Sequence, residues 1–122
     1  MDKSQAINSF WNSFGIPAFD QYTVPEDVSM PYITFEASTD SVNSNIPMTA
    51  SLWYRDSSWR EISQMADTIS ARISYSFYIT AITGGYMVIR RGEVFAQRMN
   101  DPDDPDVRRI LISVIVEFLT EN

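Results

Sequence analysis

Apolar residues recur with two different periods along this chain, and the switches between them mark its elements. Ala6, Ile7, Phe10, Trp11 and Phe14 form one helical stripe, which predicts a helix over residues 4–14. Ser4 stands as its N-cap, and Gly15 followed by Pro17 ends it. Residues 16–31 hold Pro17, Pro25 and Pro31 among scattered acids and read as an ordered surface connection with little regular structure. From Tyr32 to Thr39 the period drops to two, with β-branched and aromatic residues suited to a strand. A polar run, Asp40 to Pro47, separates it from a second strand, Met48 to Tyr54, so residues 32–54 predict a hairpin with a long loop.

The helical period returns most clearly over residues 58–73. Trp59, Ile62, Ala66, Ile69 and Ile73 line one face, and Ser58 with Glu61 has the S-x-x-E spacing of a capping box. Tyr78 to Thr83 and Tyr86 to Arg91 flank Gly84-Gly85, which predicts a second hairpin closed by a two-residue loop. Asn100 to Asp106 reads as a rigid acidic loop, and Val107 to Leu119 as the last strand. Both sides of that strand are apolar near its start, which predicts a central strand covered on each side. The order is then α-β-β-α-β-β-β. The expectation is an α/β fold of the α+β kind, with two helices packed on a mixed or antiparallel sheet of four to five strands. There is no repeat, linker or low-complexity tract, so residues 1–122 form a single domain.

Composition narrows the function classes. A chain of 122 residues buries roughly two thirds of its unfolded surface and folds without staples. Aromatic residues reach 13%, with three Trp, which is more than a minimal core needs and points toward interfaces. With neither Cys nor His, disulfides, thiolate metal sites and the commonest general base are all absent. No run is long enough to span a bilayer, and the start, Met1-Asp2-Lys3-Ser4, lacks the order of a signal peptide, so a cytoplasmic site of synthesis is expected. The net charge of -7 is uneven: residues 1–54 carry six acids against one Lys, and residues 55–122 ten acids against eight Arg. Such a chain is repelled by phosphate, which argues against sequence-specific nucleic-acid binding.

Candidate chemistry is thin. Asp101-Pro102-Asp103-Asp104-Pro105-Asp106 invites a calcium loop, but an EF-hand starting at Asp101 needs Gly and Glu where Asp106 and Ile112 stand. Asp-Pro pairs favour turns, and that is the reading adopted. Nucleophile motifs and phosphate loops are missing, so no catalytic, cofactor-binding or metal-ligating residue is assigned. What stands out is the strand-to-helix junction, Leu52 to Trp59. It reads either as core packing or as a contact surface anchored by Trp53, Tyr54, Arg55 and Trp59. Phe95 and Arg98 admit the same two readings, and Asn43 and Asn45 sit in the polar 40–47 loop.

Three stretches resemble a known family: Ser9–Asp27 (SFWNSFGIPAFDQYTVPED), Thr49–Ile62 (TASLWYRDSSWREI) and Arg90–Arg109 (RRGEVFAQRMNDPDDPDVRR). They are similar to the small tail-terminator, or tail-completion, proteins of siphophages and prophages in Gram-positive bacteria. The resemblance implies a sheet-and-helix subunit of a ring, usually a hexamer. Assembled in the host cytoplasm, the ring caps the tail tube of the virion, stops its growth and offers a surface to the head-completion or neck protein. It implies no active site, cofactor or membrane, and DNA passes through the lumen. A ring needs a heterologous interface that closes on itself. Sheet edges, the 40–47 loop and the aromatic junction are the expected suppliers, with the loop mobile until assembly and carboxylates lining the channel. Two other readings stand beside this one: a neck, head-closure or other minor tail component, and a small ligand-binding or enzymatic domain.

Overall fold

The computed structural model describes residues 1–38, 45–73 and 76–120. Helix α1 spans Lys3–Trp11 and runs into a 3-10 turn over Asn12–Phe14. Its cap is Asp2, two residues earlier than expected: the Asp2 carboxylate accepts from the Gln5 amide, and the Gln5 side chain accepts from the Asp2 amide. Gly15, at φ +89°, ends the element in the left-handed conformation. The stripe Ala6, Ile7, Phe10, Trp11 and Phe14 is buried as the spacing predicts.

Three strands follow: β1 (Ala18–Asp20), β2 (Tyr32–Phe35) and β3 (Ile46–Arg55). Strand β1 corrects the reading of residues 16–31 as lacking regular structure. Three residues are too few to show alternation, and their pairing depends on a distant partner. The Ile33 amide donates to the Pro17 carbonyl (2.8 Å) and the Gln21 amide to that of Phe35 (3.0 Å). On the outer edge, Asn12 holds both polar groups of Ala18, donating to its carbonyl (3.2 Å) and accepting from its amide (3.1 Å). That side chain closes the edge to a further strand.

Helix α2 (Arg60–Ile73) begins one residue later than a capping box on Ser58 implies, and the Ser58 hydroxyl accepts from the Arg60 amide (3.1 Å). At its far end Arg72 donates to the Ser13 hydroxyl (2.8 Å) and lies over the Phe14 ring, tying α2 to the 3-10 turn. Strands β4 (Tyr78–Ile82), β5 (Gly85–Met99) and β6 (Val107–Thr120) complete the chain. The β4–β5 loop is Thr83-Gly84, one residue before the expected pair, because Ile82 faces Gly85 across the hairpin. Gly84 supplies the positive φ of the turn, +83°, and Gly85 has another duty: a Cβ there would overlap the Leu119 carbonyl of β6.

The result is α+β, with a mixed sheet of six strands rather than four to five, in the order β1-β2-β3-β6-β5-β4. Every pairing is antiparallel except β1 with β2. Strand β6 is central, as its composition suggests, but it is not covered on both sides. Its even residues Ile110, Ile112, Val114, Val116 and Phe118 are buried under the helices. Phe10 against Tyr78, Trp11 against Phe35 and Lys3 over Phe118 place α1 on that face. Arg91, donating to the Ser70 carbonyl (2.9 Å), places α2 there too. The odd residues of β6 face the other way: Val107 is buried, Arg109 to Glu117 are half-buried among their strand neighbours, and Leu119 is 42% exposed. Among the described residues no helix is long and apolar enough to cross a membrane.

The register of β5 on β6 breaks once. Arg91 faces Val114, but the next pair is Ala96 with Ile112, so residues 92–95 face Ser113 alone. Gly92 permits the approach, since a Cβ there would lie 2.9 Å from the Ser113 carbonyl oxygen. An odd number of extra residues reverses the alternation. Met87, Ile89 and Arg91 face the helices before the bulge, and Ala96 and Arg98 face them after it.

The two faces of β6 predict different costs for the same kind of truncation. Ile112→Ala, at a fully buried site, should lower stability by about 2–5 kcal/mol. Leu119→Ala on the open face should cost no more than about 1 kcal/mol. Urea denaturation of the two variants checks this, and equal losses would mean that the open face is covered.

Candidate functional site

Strand alternation decides where the aromatic junction goes. Tyr54 points into the core and is 7% exposed, so it serves packing. Burial, and then the negative charge of Glu61, pushes its hydroxyl above the usual tyrosine value and keeps it neutral. Trp53, one residue earlier, lies on the open face. Its indole N–H donates to the Thr34 hydroxyl (2.9 Å), and the Arg109 guanidinium lies 4.8 Å over its ring. Arg109 in turn donates to the Ser51 hydroxyl (3.1 Å). Tyr32 stands 6.4 Å from Trp53, and Phe19 stands 6.2 Å from Tyr32. The open face thus carries an aromatic row from β1 to β3, ended by an arginine on β6.

Trp59 is in the other layer. It lies half-buried before α2, and two guanidinium groups approach its ring: Arg98 at 4.8 Å and Arg108 at 5.3 Å from its centre. Arg108 donates to the carbonyls of Pro105 (2.6 Å) and Ser57 (3.0 Å), and its Nε is buried without an acceptor among the described residues. Arg98 is exposed. Among the described residues neither arginine has a carboxylate partner, whereas Arg55 pairs with Asp104 and Arg90 with Glu117. Phe95 is half-buried against the core, and Asn45 is exposed. Asn43, and most of the loop expected to order on assembly, lies outside the described residues. The sequence-predicted residues therefore divide. Trp59 and Arg98 meet, Trp53 is on the opposite face, Tyr54 is inside, and Arg55 belongs to the acidic loop.

That loop is built of turns, as its Asp-Pro pairs predict. Asp101 accepts from the Asp103 amide (2.9 Å) and Asp104 from the Asp106 amide (3.0 Å). The Asp56 amide donates to the Asp106 carbonyl (2.9 Å), and the Arg55–Asp104 pair (2.8 Å) fixes the loop to the end of β3. Among the described residues no three acidic side chains converge as a metal would require.

Several exposed residues escaped the sequence reading. Ile79 (48%), Tyr86 (52%) and Leu119 (42%) lie together at the end of the open face away from Trp53, and Tyr22 projects at 86%. Phe19 and Tyr32 were missed because a row across strands depends on register, which local pattern does not carry. The cleft between α1 and β1–β2, about 360 Å³, is lined by Ser4, Gln5, Asn8, Asp20, Phe35 and Ala37. Asp20 is the one carboxylate among these lining residues, and Ser4, Gln5 and Asn8 are the other polar ones. Comparison with protein-family models, curated proteins and solved structures finds no match to this chain.

The hydrogen bond from Arg55, followed by that from the Asp106 amide, holds the Asp104 carboxyl below its usual value. Its stabilising effect is present above the ordinary carboxylate pKa and is lost as pH falls through the lowered one. Arg55→Ala should raise the Asp104 titration midpoint toward that of a free aspartate, read by NMR of the side-chain carboxyl. A midpoint unchanged by the substitution would show that the ion pair does not form in solution.

Proposed function

We propose that this chain is a non-enzymatic assembly subunit. It forms a ring that caps a bacteriophage tail tube, ends its growth and presents the surface on which the head is joined. The observation that carries this reading is the one-sided architecture. Both helices lie on one face of the sheet, and the other face holds the Phe19–Tyr32–Trp53–Arg109 row together with the exposed Ile79, Tyr86 and Leu119. Trp, Tyr and Arg are the residues that anchor protein contacts, and apolar side chains gathered on one face mark a surface meant to be covered. The resemblance of residues 9–27, 49–62 and 90–109 to tail-terminator proteins names the kind of assembly.

Charge fits the same role. A ring around a DNA channel must let phosphate pass, and a net charge of -7 repels it. The partners are further copies of the chain, the tail-tube protein and the head-completion protein.

Deleting the gene from the phage or prophage genome that carries it should give overlong tails by negative-stain electron microscopy. Tails of normal length without heads would instead assign the chain to the neck. Light-scattering mass measurement should show a closed oligomer, alone or once tail-tube protein is added. A subunit that stays monomeric in both conditions would end this reading.

A further inference from the structure

Strand β5 is much longer than the strand that flanks it. Strand β4 pairs with Gly85–Ile89 and stops, so among the described residues β5 from Gly92 to Met99 has β6 on one side and no strand on the other. This stretch is open to solvent: Val94 is 61% exposed, and Glu93, Ala96, Gln97 and Arg98 are exposed with it. Alternate residues of such an edge turn both amide and carbonyl outward, which makes it a template for a further strand. The opposite edge of the sheet is different, because Asn12 occupies the outward groups of Ala18.

The bulge decides which strand fits there. Arg91 and Ala96 both face the helices although an odd number of steps separates them, so the alternation breaks between them. Phe95 packs against the core on that same side, next to Ala96, which puts the break between these two residues. Counted outward from it, Glu93, Phe95, Ala96 and Arg98 share the helix face, and Val94 and Gln97 share the open face. The order of faces is therefore the same in both directions from the break. Two antiparallel strands related by a two-fold axis must oppose residues of one face. With the axis at the break, Phe95 opposes Ala96 of a second copy, Val94 opposes Gln97 and Glu93 opposes Arg98, and every pair obeys that condition.

Charge selects the same arrangement. Glu93 and Arg98 are the charged residues of this stretch, one toward each end, and among the described residues neither is in an ion pair. Antiparallel pairing sets them against each other twice, whereas parallel pairing in register would set Glu on Glu and Arg on Arg. Charges and bulges ordinarily keep an edge from pairing, but here both are disposed symmetrically about one point. We propose that this edge takes the same edge of a second copy, β5 against β5 with the two-fold axis between Phe95 and Ala96, so that two sheets run on as one. Such a contact is isologous and saturates at a dimer, so it is separate from the heterologous contact of a ring and does not rest on the tail reading.

Exchanging the two charges tests this. Glu93→Arg alone and Arg98→Glu alone should each weaken dimerisation about tenfold, because symmetry turns two opposed pairs from attraction to repulsion at once. Both substitutions in one chain set opposite signs together again and should recover most of the lost affinity. A misfolded subunit would not be rescued in this way. Equilibrium sedimentation over a concentration series gives the dimer constant, and circular dichroism confirms the fold of each variant. A dimer indifferent to the single substitutions, a double variant no tighter than the single ones, or wild-type protein that never dimerises overturns this contact.

Discussion

Ile110, Ile112, Val114, Val116 and Phe118 point from the middle strand of the sheet into one core, and both helices are held against that row. Burying a side chain of this kind contributes about 1.5–3 kcal/mol. An exposed ion pair such as Arg55–Asp104 contributes about 0–1 kcal/mol. The apolar row of β6 therefore holds the fold, and the surface charges are free to serve other purposes. Because β6 pairs with β3 on one side and β5 on the other, its register also sets the height of every other strand.

The bulge in β5 depends on that register and has a chemical consequence. With unbroken alternation Arg98, an even residue on β5, would share the open face with Trp53 and Arg109. The odd insertion opposite Ser113 turns it toward the helices, where it meets Trp59. Gly92 is the residue that allows the strands to come close enough for this, so one glycine positions a charge six residues further along. The same chain segment thereby supplies an edge, a kink and one of the two cations over Trp59.

Much of this layout was legible in the sequence. The helical stripes of α1 and α2, the β2–β3 and β4–β5 hairpins and the central place of β6 all follow from local periodicity. The missed features share one cause. Strand β1 exists only because β2 accepts it, the Phe19–Tyr32–Trp53 row only because of cross-strand register, and the placement of Arg98 only because of the bulge. Ser4 lost the cap to Asp2 because the sequence holds two competing donors of a capping oxygen, and the reciprocal bond from Gln5 decides between them. For Trp53 and Tyr54 adjacency itself misled. Neighbours on a strand point to opposite faces, so a run of aromatic residues cannot all serve one surface.

A chain with a net charge of -7 would be expected to repel its own copies, and the proposed ring must overcome that. Screening sets the scale of the problem. At physiological salt the Debye length is about 8 Å, so charges farther apart than that across a contact scarcely act on each other. Within that distance the local sign governs, and both signs are on offer: Glu26 and Asp27 are exposed without an ion-pair partner among the described residues, and so is Arg98. Two copies approaching acid to acid meet repulsion, whereas two approaching acid to arginine meet attraction. Uneven charge on an acidic chain thus favours one relative orientation over the rest, and repeating that orientation is what makes a directional assembly.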